Sequence, residues 1–179
     1  MPKHTGRLTG AADYLKASYI KRWGIVHTAE TQSIGLHMYR VWILVRQWGP
    51  EIGLNTKQQQ QAEEWALTHD LAEIRTGDMP TPHKTPEVKS WLEGLELEIC
   101  PEAAAVEHAI KGTITGDFCK FCDTAEAVLY LRNCGLGQHA RDVLKLLEVQ
   151  MYDRLKGSSL PEEAKAFLVT AFTNTYHDV

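Results

Sequence analysis

The chain has 179 residues, 44% hydrophobic and 23% charged, a size and composition suited to one globular domain with its own core. Nineteen Lys and Arg against 23 Asp and Glu leave a formal net charge of −4, which argues against a polynucleotide partner but not against a small anionic substrate held by two or three cations. Four cysteines are too few for a disulfide scaffold, no apolar run approaches the roughly 18 residues of a membrane span, and Met1-Pro2-Lys3-His4 lacks a secretory apolar segment, so the expectation is cytoplasmic residence and no membrane partner.

In chain order, residues 1–8 read as a mobile polar lead-in to a single domain spanning 1–179. Thr9 is placed to cap a short helix through Ala11, Tyr14, Leu15 and Ser18. The stretch from about Lys21 to Gln32, with Trp23-Gly24-Ile25, has no helical pattern. Ser33 then caps a helix that runs through Leu36, Tyr39 and Ile43 to Trp48, where Gly49-Pro50 stops it. A third helix opens at Asn55 or Thr56, buries Ala62, Trp65, Ala66, His69 and Ala72 at three- and four-residue steps, and ends at Gly77. Pro80, Pro82 and Pro86 make the following segment a stiff extended loop. Helical periodicity returns over Glu87–Cys100, Glu102–Ile110, about Asp117–Asn133, Gln138–Lys156 and Pro161–Tyr176. No strand-period hairpin, repeat or low-complexity tract interrupts the pattern. The fold class is all-α, a bundle of about seven to eight helices.

The chemistry concentrates on the third helix. His69 and Asp70 are adjacent imidazole and carboxylate groups that can share a divalent cation, and Glu73, one turn on, is placed to act as general base or acid on a bound water. His37 lies among apolar positions of the second helix, and Asp123 lies in a helix that is otherwise Ala125, Ala127, Val128, Leu129, Tyr130 and Leu131. Burying either group is costly without a partner, and one cation would satisfy both.

His37, His69-Asp70 and Asp123, in this order and with 32 and 53 residues between successive members, resemble the H…HD…D pattern of the HD-domain metal-dependent phosphohydrolases. The run from His69 through Gly77-Asp78-Met79-Pro80-Thr81-Pro82 is similar to the signature of that family's bacterial 5′-deoxynucleotidase branch, and Arg22-Trp23 to its Arg-Trp element. The usual Glu-His-Ser around the first ligand reads Leu36-His37-Met38 here. The short chain, the compact ligand spacing and Trp23-x-Ile25 resemble more closely the phage dATP triphosphohydrolase branch.

That resemblance implies a compact HD-domain bundle and a cation at His37, His69, Asp70 and Asp123, either Zn²⁺ or Co²⁺/Mn²⁺, with Mg²⁺ or another second divalent ion accompanying the triphosphate. It implies hydrolysis of dATP to deoxyadenosine and (tri)phosphate, which depletes dATP in favour of its 2-amino analogue. Trp23, Ile25 and Pro82 would wall the base pocket, and Arg22, Lys84 and Lys120 would contact phosphate. Glu73 or Asp78 would handle a proton or hold the second ion. A homo-oligomer is implied, a hexamer in the relatives, located in the host cytoplasm if the chain is viral. The shared Gly-Asp-x-Pro-Thr-Pro run keeps open a 5′-deoxynucleotidase acting on monophosphates, and a silent nucleotide-binding descendant is the reading from a different class.

Smaller features have plainer readings. Cys119-x-x-Cys122 has zinc-site spacing but no second pair, so both thiols read as packing; Arg75 is expected to face solvent or a partner subunit. Of the 23 acidic residues, Asp70, Glu73, Asp78, Asp123 and Glu126 fall in or near the expected pocket, so the site that meets phosphate can be positive in a negative chain.

Overall fold

The sequence concentrates small and apolar residues between Phe118 and Leu131, and that stretch lies in the central helix. In the computed structural model, which describes residues 6–178, the elements are α1 (Ala11–Tyr14), α2 (Ile34–Trp48), α3 (Thr56–Ala66), α4 (Glu73–Thr76), α5 (Pro86–Ile99), α6 (Pro101–Ile110), α7 (Ile114–Cys134), α8 (Gly137–Gly157) and α9 (Glu162–Asp178). Single 3₁₀ turns cover Leu15–Ser18 and Thr81–His83. Among the described residues the only bridges are isolated ones, Lys21 with Ser33 and Thr28 with Gly135. The architecture is all-α.

The main core forms where α7 presents Phe118, Phe121, Cys122, Ala125 and Val128 to its neighbours. These pack against Val41 and Val45 of α2, Trp65 of α3, Met151 of α8 and Leu168 of α9. A smaller cluster joins Leu8, Ala17, Ile34, Met38, Leu71, Ile74 and Ile99. His69 and Asp70 lie between Ala66, which feeds the main core, and Leu71, which feeds the smaller cluster, so the candidate site sits where the two meet.

Several boundaries differ from the sequence pattern, each for a local reason. The lead-in is shorter than eight residues: Leu8 is buried, its N–H donates to the Ile99 carbonyl at 2.8 Å, and Arg7 pairs with Glu102 at 2.7 Å. Met1–Thr5 lie outside the described residues. Gly10, not Thr9, occupies the cap of α1, and the Thr9 N–H instead donates to Asp13 at 3.1 Å. The helix expected from Asn55 to Gly77 divides in two, giving nine helices among the described residues. α3 starts as expected, with a capping box between Asn55 and Gln58, but ends at Ala66. There the Thr68 hydroxyl donates to the Glu64 carbonyl at 2.7 Å, and the chain tightens into three-residue hydrogen bonds, Leu71 to Thr68, Glu73 to Asp70 and Ile74 to Leu71. Gly77 does end the motif, at φ 74. α7 begins three residues before Asp117 because Thr113 caps it, accepting from the Gly116 N–H at 3.2 Å; Asp123 is therefore mid-helix. Arg75 is exposed at the surface, as expected, and there donates to the Gly6 carbonyl and to Asp13, both at 2.9 Å, tying α4 to the N-terminal segment.

Candidate active site

Four side chains from three segments converge. α2 supplies His37, α7 supplies Asp123, and the tight turn after α3 supplies His69 and Asp70. His37 Nε2 lies 3.1 Å from Asp123 Oδ1, 3.6 Å from Asp70 Oδ2 and 3.3 Å from His69 Nε2. His69 Nε2 is 3.6 Å from Asp70 Oδ2 and 3.8 Å from Asp123 Oδ1. Bonds of about 2.0–2.1 Å to one tetrahedral zinc ion would space donor atoms about 3.3–3.4 Å apart, so this spread fits a divalent cation.

The imidazole hydrogen bonds make the same case independently. The buried His37 ring donates Nδ1–H to Glu126 Oε2 at 2.5 Å, and His69 donates Nδ1–H to the Ala66 carbonyl at 3.1 Å. Each Nε2 is thereby turned towards the other as a lone pair, an arrangement that calls for a positive charge between them. Trp65 supports the His69 ring by stacking on it at 4.3 Å.

Electrostatics keeps the carboxylates ionised. Burial would raise Asp70, but His69, His37 and Arg22 hold it below the usual carboxylate range. Burial likewise opposes the charge on Asp123, and the His37 hydrogen bond, with both imidazoles beside it, pulls it well down. Burial lowers His69, leaving it a neutral donor. Burial and Arg22 oppose a charge on His37, yet its hydrogen bonds to Asp123 and Glu126 raise it, so a proton competes with the cation for that nitrogen. Burial pushes Glu73 up to about 9, with the Asp70 and Asp78 charges adding to the shift. Its Oε2 is buried with no hydrogen-bond partner among the described residues, and Lys84 Nζ stands 3.9 Å from Oε1.

Beside the donor set opens a cavity of about 670 Å³ whose floor includes Asp70, Asp123 and Glu73. All six residues expected to meet substrate line it: Arg22, Trp23, Ile25, Pro82, Lys84 and Lys120. A second cavity of about 360 Å³ shares the same floor and both lysines, and continues past Lys89 and Lys111.

Several residues carry more than the expected role. Trp23 has φ 66, a left-handed backbone that is uncommon outside glycine. Its N–H donates to Asp78 Oδ2 at 3.2 Å, its indole N–H donates to Gln32 Oε1 at 2.8 Å, and its ring lies on Tyr130 with centroids 5.8 Å apart and planes 9° apart. Asp78 is thus engaged in holding the wall as well as facing the cavity. Arg22 is turned partly inward: Nη1 donates to Gln32 at 3.2 Å and lies 3.6 Å from Glu126. Lys120 stands over the Trp65 ring at 4.8 Å and 3.3 Å from Glu107.

Sequence reasoning missed Gln32 and Arg40, and noted Glu126 only as a nearby acid. Glu126 follows Asp123 by three residues on a helix, a same-face spacing that could have revealed it; Gln32 has no such signal. His139, Gln150 and Arg154 also line the larger cavity, where their sequence context shows no partner. Cys119 and Cys122 are buried packing residues whose thiols burial pushes up, away from reactivity.

An all-helical scaffold that gathers two imidazoles and two ionised carboxylates beside an open, lysine-flanked cavity defines a class, the metal-dependent hydrolases of phosphate esters. Within it, the chain belongs to the 5′-deoxynucleotidase YfbR-like family of HD-domain phosphohydrolases, whose family model matches residues 11–127. It is 51% identical over 171 residues to the dATP triphosphohydrolase of Cyanophage S-2L, covering 96% of this chain and 97% of that one. With the dATP triphosphohydrolase of Salmonella phage PMBT28 it shares 30% identity over 151 residues, 80% of this chain and 76% of the relative. The solved structure of the Cyanophage S-2L HD phosphohydrolase DatZ, bound to dA and one catalytic Zn²⁺ ion, matches with a TM-score of 0.93 at 49% identity over 97% of this chain and 99% of that one. An HD-domain phosphohydrolase from Listeria innocua, TM-score 0.68 at 14% identity over 94% of this chain and 88% of that one, shares the fold.

Proposed function

We propose that this protein is a metal-dependent dATP triphosphohydrolase that hydrolyses dATP to deoxyadenosine and (tri)phosphate. The observation that carries the reading is the convergence of Arg22, Trp23, Ile25, Pro82, Lys84 and Lys120 on one cavity floored by Asp70 and Asp123. The 51% identity to a phage dATP triphosphohydrolase over nearly the whole chain supports it.

His37, His69, Asp70 and Asp123 would hold Zn²⁺, with Co²⁺ or Mn²⁺ as substitutes suited to the same donors. Such an ion supplies Lewis-acid polarisation of the α-phosphate and lowers the pKa of a water. The chain's own residues would do the rest. Trp23, Ile25 and Pro82 offer the base an apolar wall, where an added 2-amino group would overlap and lose hydrogen bonds to water. Lys84, Lys120 and Arg22 would neutralise phosphate charge as it develops. Glu73 keeps its proton at neutral pH and would give it to the departing 5′-oxygen. With Asp78 it would alternatively hold Mg²⁺ or another second divalent ion arriving with the triphosphate, at the cost of that proton.

The test is a panel of the four dNTPs, 2-amino-dATP and the deoxynucleoside monophosphates with the zinc-loaded protein, products being separated by chromatography. Preferential turnover of dATP with sparing of 2-amino-dATP is expected; equal turnover of all purines sinks the adenine-specific reading. Activity on dAMP, dGMP and dTMP with little on triphosphates would favour the second reading, a 5′-deoxynucleotidase, which rests on the family match over residues 11–127.

A homo-oligomer, a hexamer on the resemblance, is also proposed. Of the last two helices, Met151, Leu155, Leu168 and Phe172 are taken up by the core, whereas Leu36, Tyr39 and Ile43 leave an apolar stripe exposed on α2. Sedimentation would measure the assembly. No helix among the described residues is long and apolar enough to cross a membrane, in keeping with action in a cytoplasm, that of the host if the chain is viral.

A further inference from the structure

Between the base wall and the metal donors lies a side chain that neither the motif nor the mechanism uses. Gln32 is 0% exposed, at the end of the irregular segment and one residue before the cap of α2. Its Oε1 accepts from Trp23 Nε1 at 2.8 Å and from Arg22 Nη1 at 3.2 Å. Its Nε2 donates to Glu126 Oε1 at 2.8 Å. Glu126, 1% exposed, in turn accepts from His37 Nδ1 at 2.5 Å and is ion-paired with Arg40, whose Nε stands 3.0 Å from Oε1. Three hydrogen bonds therefore run without a gap from Trp23 through Gln32 and Glu126 to His37.

The chemistry of the amide makes this arrangement one-way. Indole and guanidinium can only donate, and an ionised carboxylate can only accept, so the neighbours of Gln32 demand an acceptor on one side and a donor on the other. Only an amide of this length supplies both. Flipping it would set N–H against N–H and oxygen against oxygen. The Gln32 backbone adds a further tie, its carbonyl accepting from the Arg22 N–H at 2.9 Å.

What the amide holds is the least self-supporting part of the pocket. Trp23 has a left-handed backbone, and Ile25 is 46% exposed, so the wall is not fixed by burial. The indole is oriented by its N–H to Gln32 and by the Tyr130 ring beneath it. We infer that Gln32 is a positioning residue that sets the Trp23 ring for base discrimination and links that wall, through Glu126, to the metal-ligating His37. This rests on the reading that Trp23 faces the base of dATP. It predicts that base choice can be degraded without unloading the metal.

The test compares Gln32→Met, similar in volume but without the donor–acceptor pair, and Gln32→Glu, which sets a carboxylate against Glu126, with the double change Gln32→Glu, Glu126→Gln. In the double variant residue 32 accepts from the indole and residue 126 donates to it, so the pairing returns with the total charge unchanged. Zinc content, KM and kcat for dATP, and the dATP preference over 2-amino-dATP are measured on each. Gln32→Met should keep its zinc, raise KM for dATP about tenfold, reduce the preference about tenfold and change kcat much less. The double variant should regain most of the preference but have a lower kcat than the unaltered protein, because His37 has exchanged a carboxylate partner for an amide and Arg40 has lost its ion-pair partner.

The indole N–H resonances of the five tryptophans, with Trp23 assigned by Trp23→Phe, give a readout independent of activity. The Trp23 signal should move in Gln32→Met and return towards its place in the double variant. An unchanged preference and an unmoved Trp23 signal in Gln32→Met would overturn the inference, as would a loss of preference that the double variant does not reverse. Were the unaltered protein inactive on dATP, the function reading would fail; a moving Trp23 signal would then support the positioning role alone, and a fixed one would refute it too.

Discussion

The two sides of the cavity are built by different means. His37 stands in the first turn of α2 and Asp123 in the middle of α7, both helices packed into the main core, and the facing His37 Nε2 and Asp123 Oδ1 atoms stand 3.1 Å apart. The opposite side is made by Arg22–Ile25 and Asp78–Lys84, segments with little regular structure, one of which contains the left-handed Trp23. Its shape depends on a few hydrogen bonds: Trp23 to Asp78, Trp23 to Gln32, and the ties of Ala29 to Cys134 and Leu136 to His27 that return the segment to the end of α7. Reactivity sits on α2, α7 and the hydrogen-bonded turn after α3, and selectivity on irregular chain. Substitutions on the two sides should therefore fail differently.

The largest effect belongs to the metal-binding side. Asp70→Asn keeps the shape of the side chain but removes a charge that faces His37 and His69 at 3.6 Å. Zinc should be lost on gel filtration, and turnover should fall by about a thousandfold or more. Trp23→Ala should instead retain its zinc and fail by a rise in KM. Zinc retention with full activity in Asp70→Asn would remove the proposed donor set.

Glu126→Gln probes the junction of the two sides, because one carboxylate serves His37, Arg40 and Gln32 together. The outer partner of a ligating histidine is worth about 10–100-fold in metal affinity or activity, and a loss in that range is expected in zinc competition titrations. Unlike Asp70→Asn, this variant should also weaken the preference for dATP, since the single amide oxygen, taken by His37, leaves an N–H group facing Gln32 Nε2.

The same division explains what could be read from the amino-acid string. Metal ligands are few in type and fixed in order, so His37, His69, Asp70 and Asp123 stood out once a histidine and an aspartate were found in apolar helices. The helices were legible from period and caps, as Ser33 and Asn55 show. The break after Ala66 was not, because Ala62, Trp65, Ala66 and Ala72 keep a helical spacing across it; the competing hydrogen bond of the Thr68 hydroxyl is a local event that periodicity does not record. Gln32 was illegible for another reason. Its partners Trp23 and Glu126 are 9 and 94 residues away, and nothing about an isolated glutamine indicates that it is buried.

The lysines allow a finer separation. Lys84→Ala and Lys120→Ala should each lower kcat/KM for dATP about tenfold, the scale of one charge-assisted contact, with base preference unchanged. Lys120→Ala should in addition weaken zinc binding, because Lys120 rests on the Trp65 ring that stacks against His69; Lys84 has no such connection, and its variant should bind zinc normally. Equal zinc affinities in the two variants would show that Trp65 does not transmit the loss.

The smallest effect concerns stability. Glu73 is held at about 9 by burial and by the charges of Asp70 and Asp78, against an ordinary carboxyl value of 4.5. Between those values the folded state keeps a proton that the unfolded chain has released, so this group lowers stability progressively as pH rises through that window. Gln carries no such proton. In the metal-free protein, Glu73→Gln should match the parent near pH 4.5 and melt a few degrees higher at pH 8, with a gap that widens with pH and levels off above 9. The sign is opposite to that for Asp123, whose depressed carboxyl adds stability above the ordinary value and loses it as the medium is acidified. Divalent ions should narrow the gap if the Glu73 carboxylate binds one, because the ion then offsets the repulsion from Asp70 and Asp78. A gap unaffected by Mg²⁺ and Zn²⁺ would leave Glu73 as a proton donor alone.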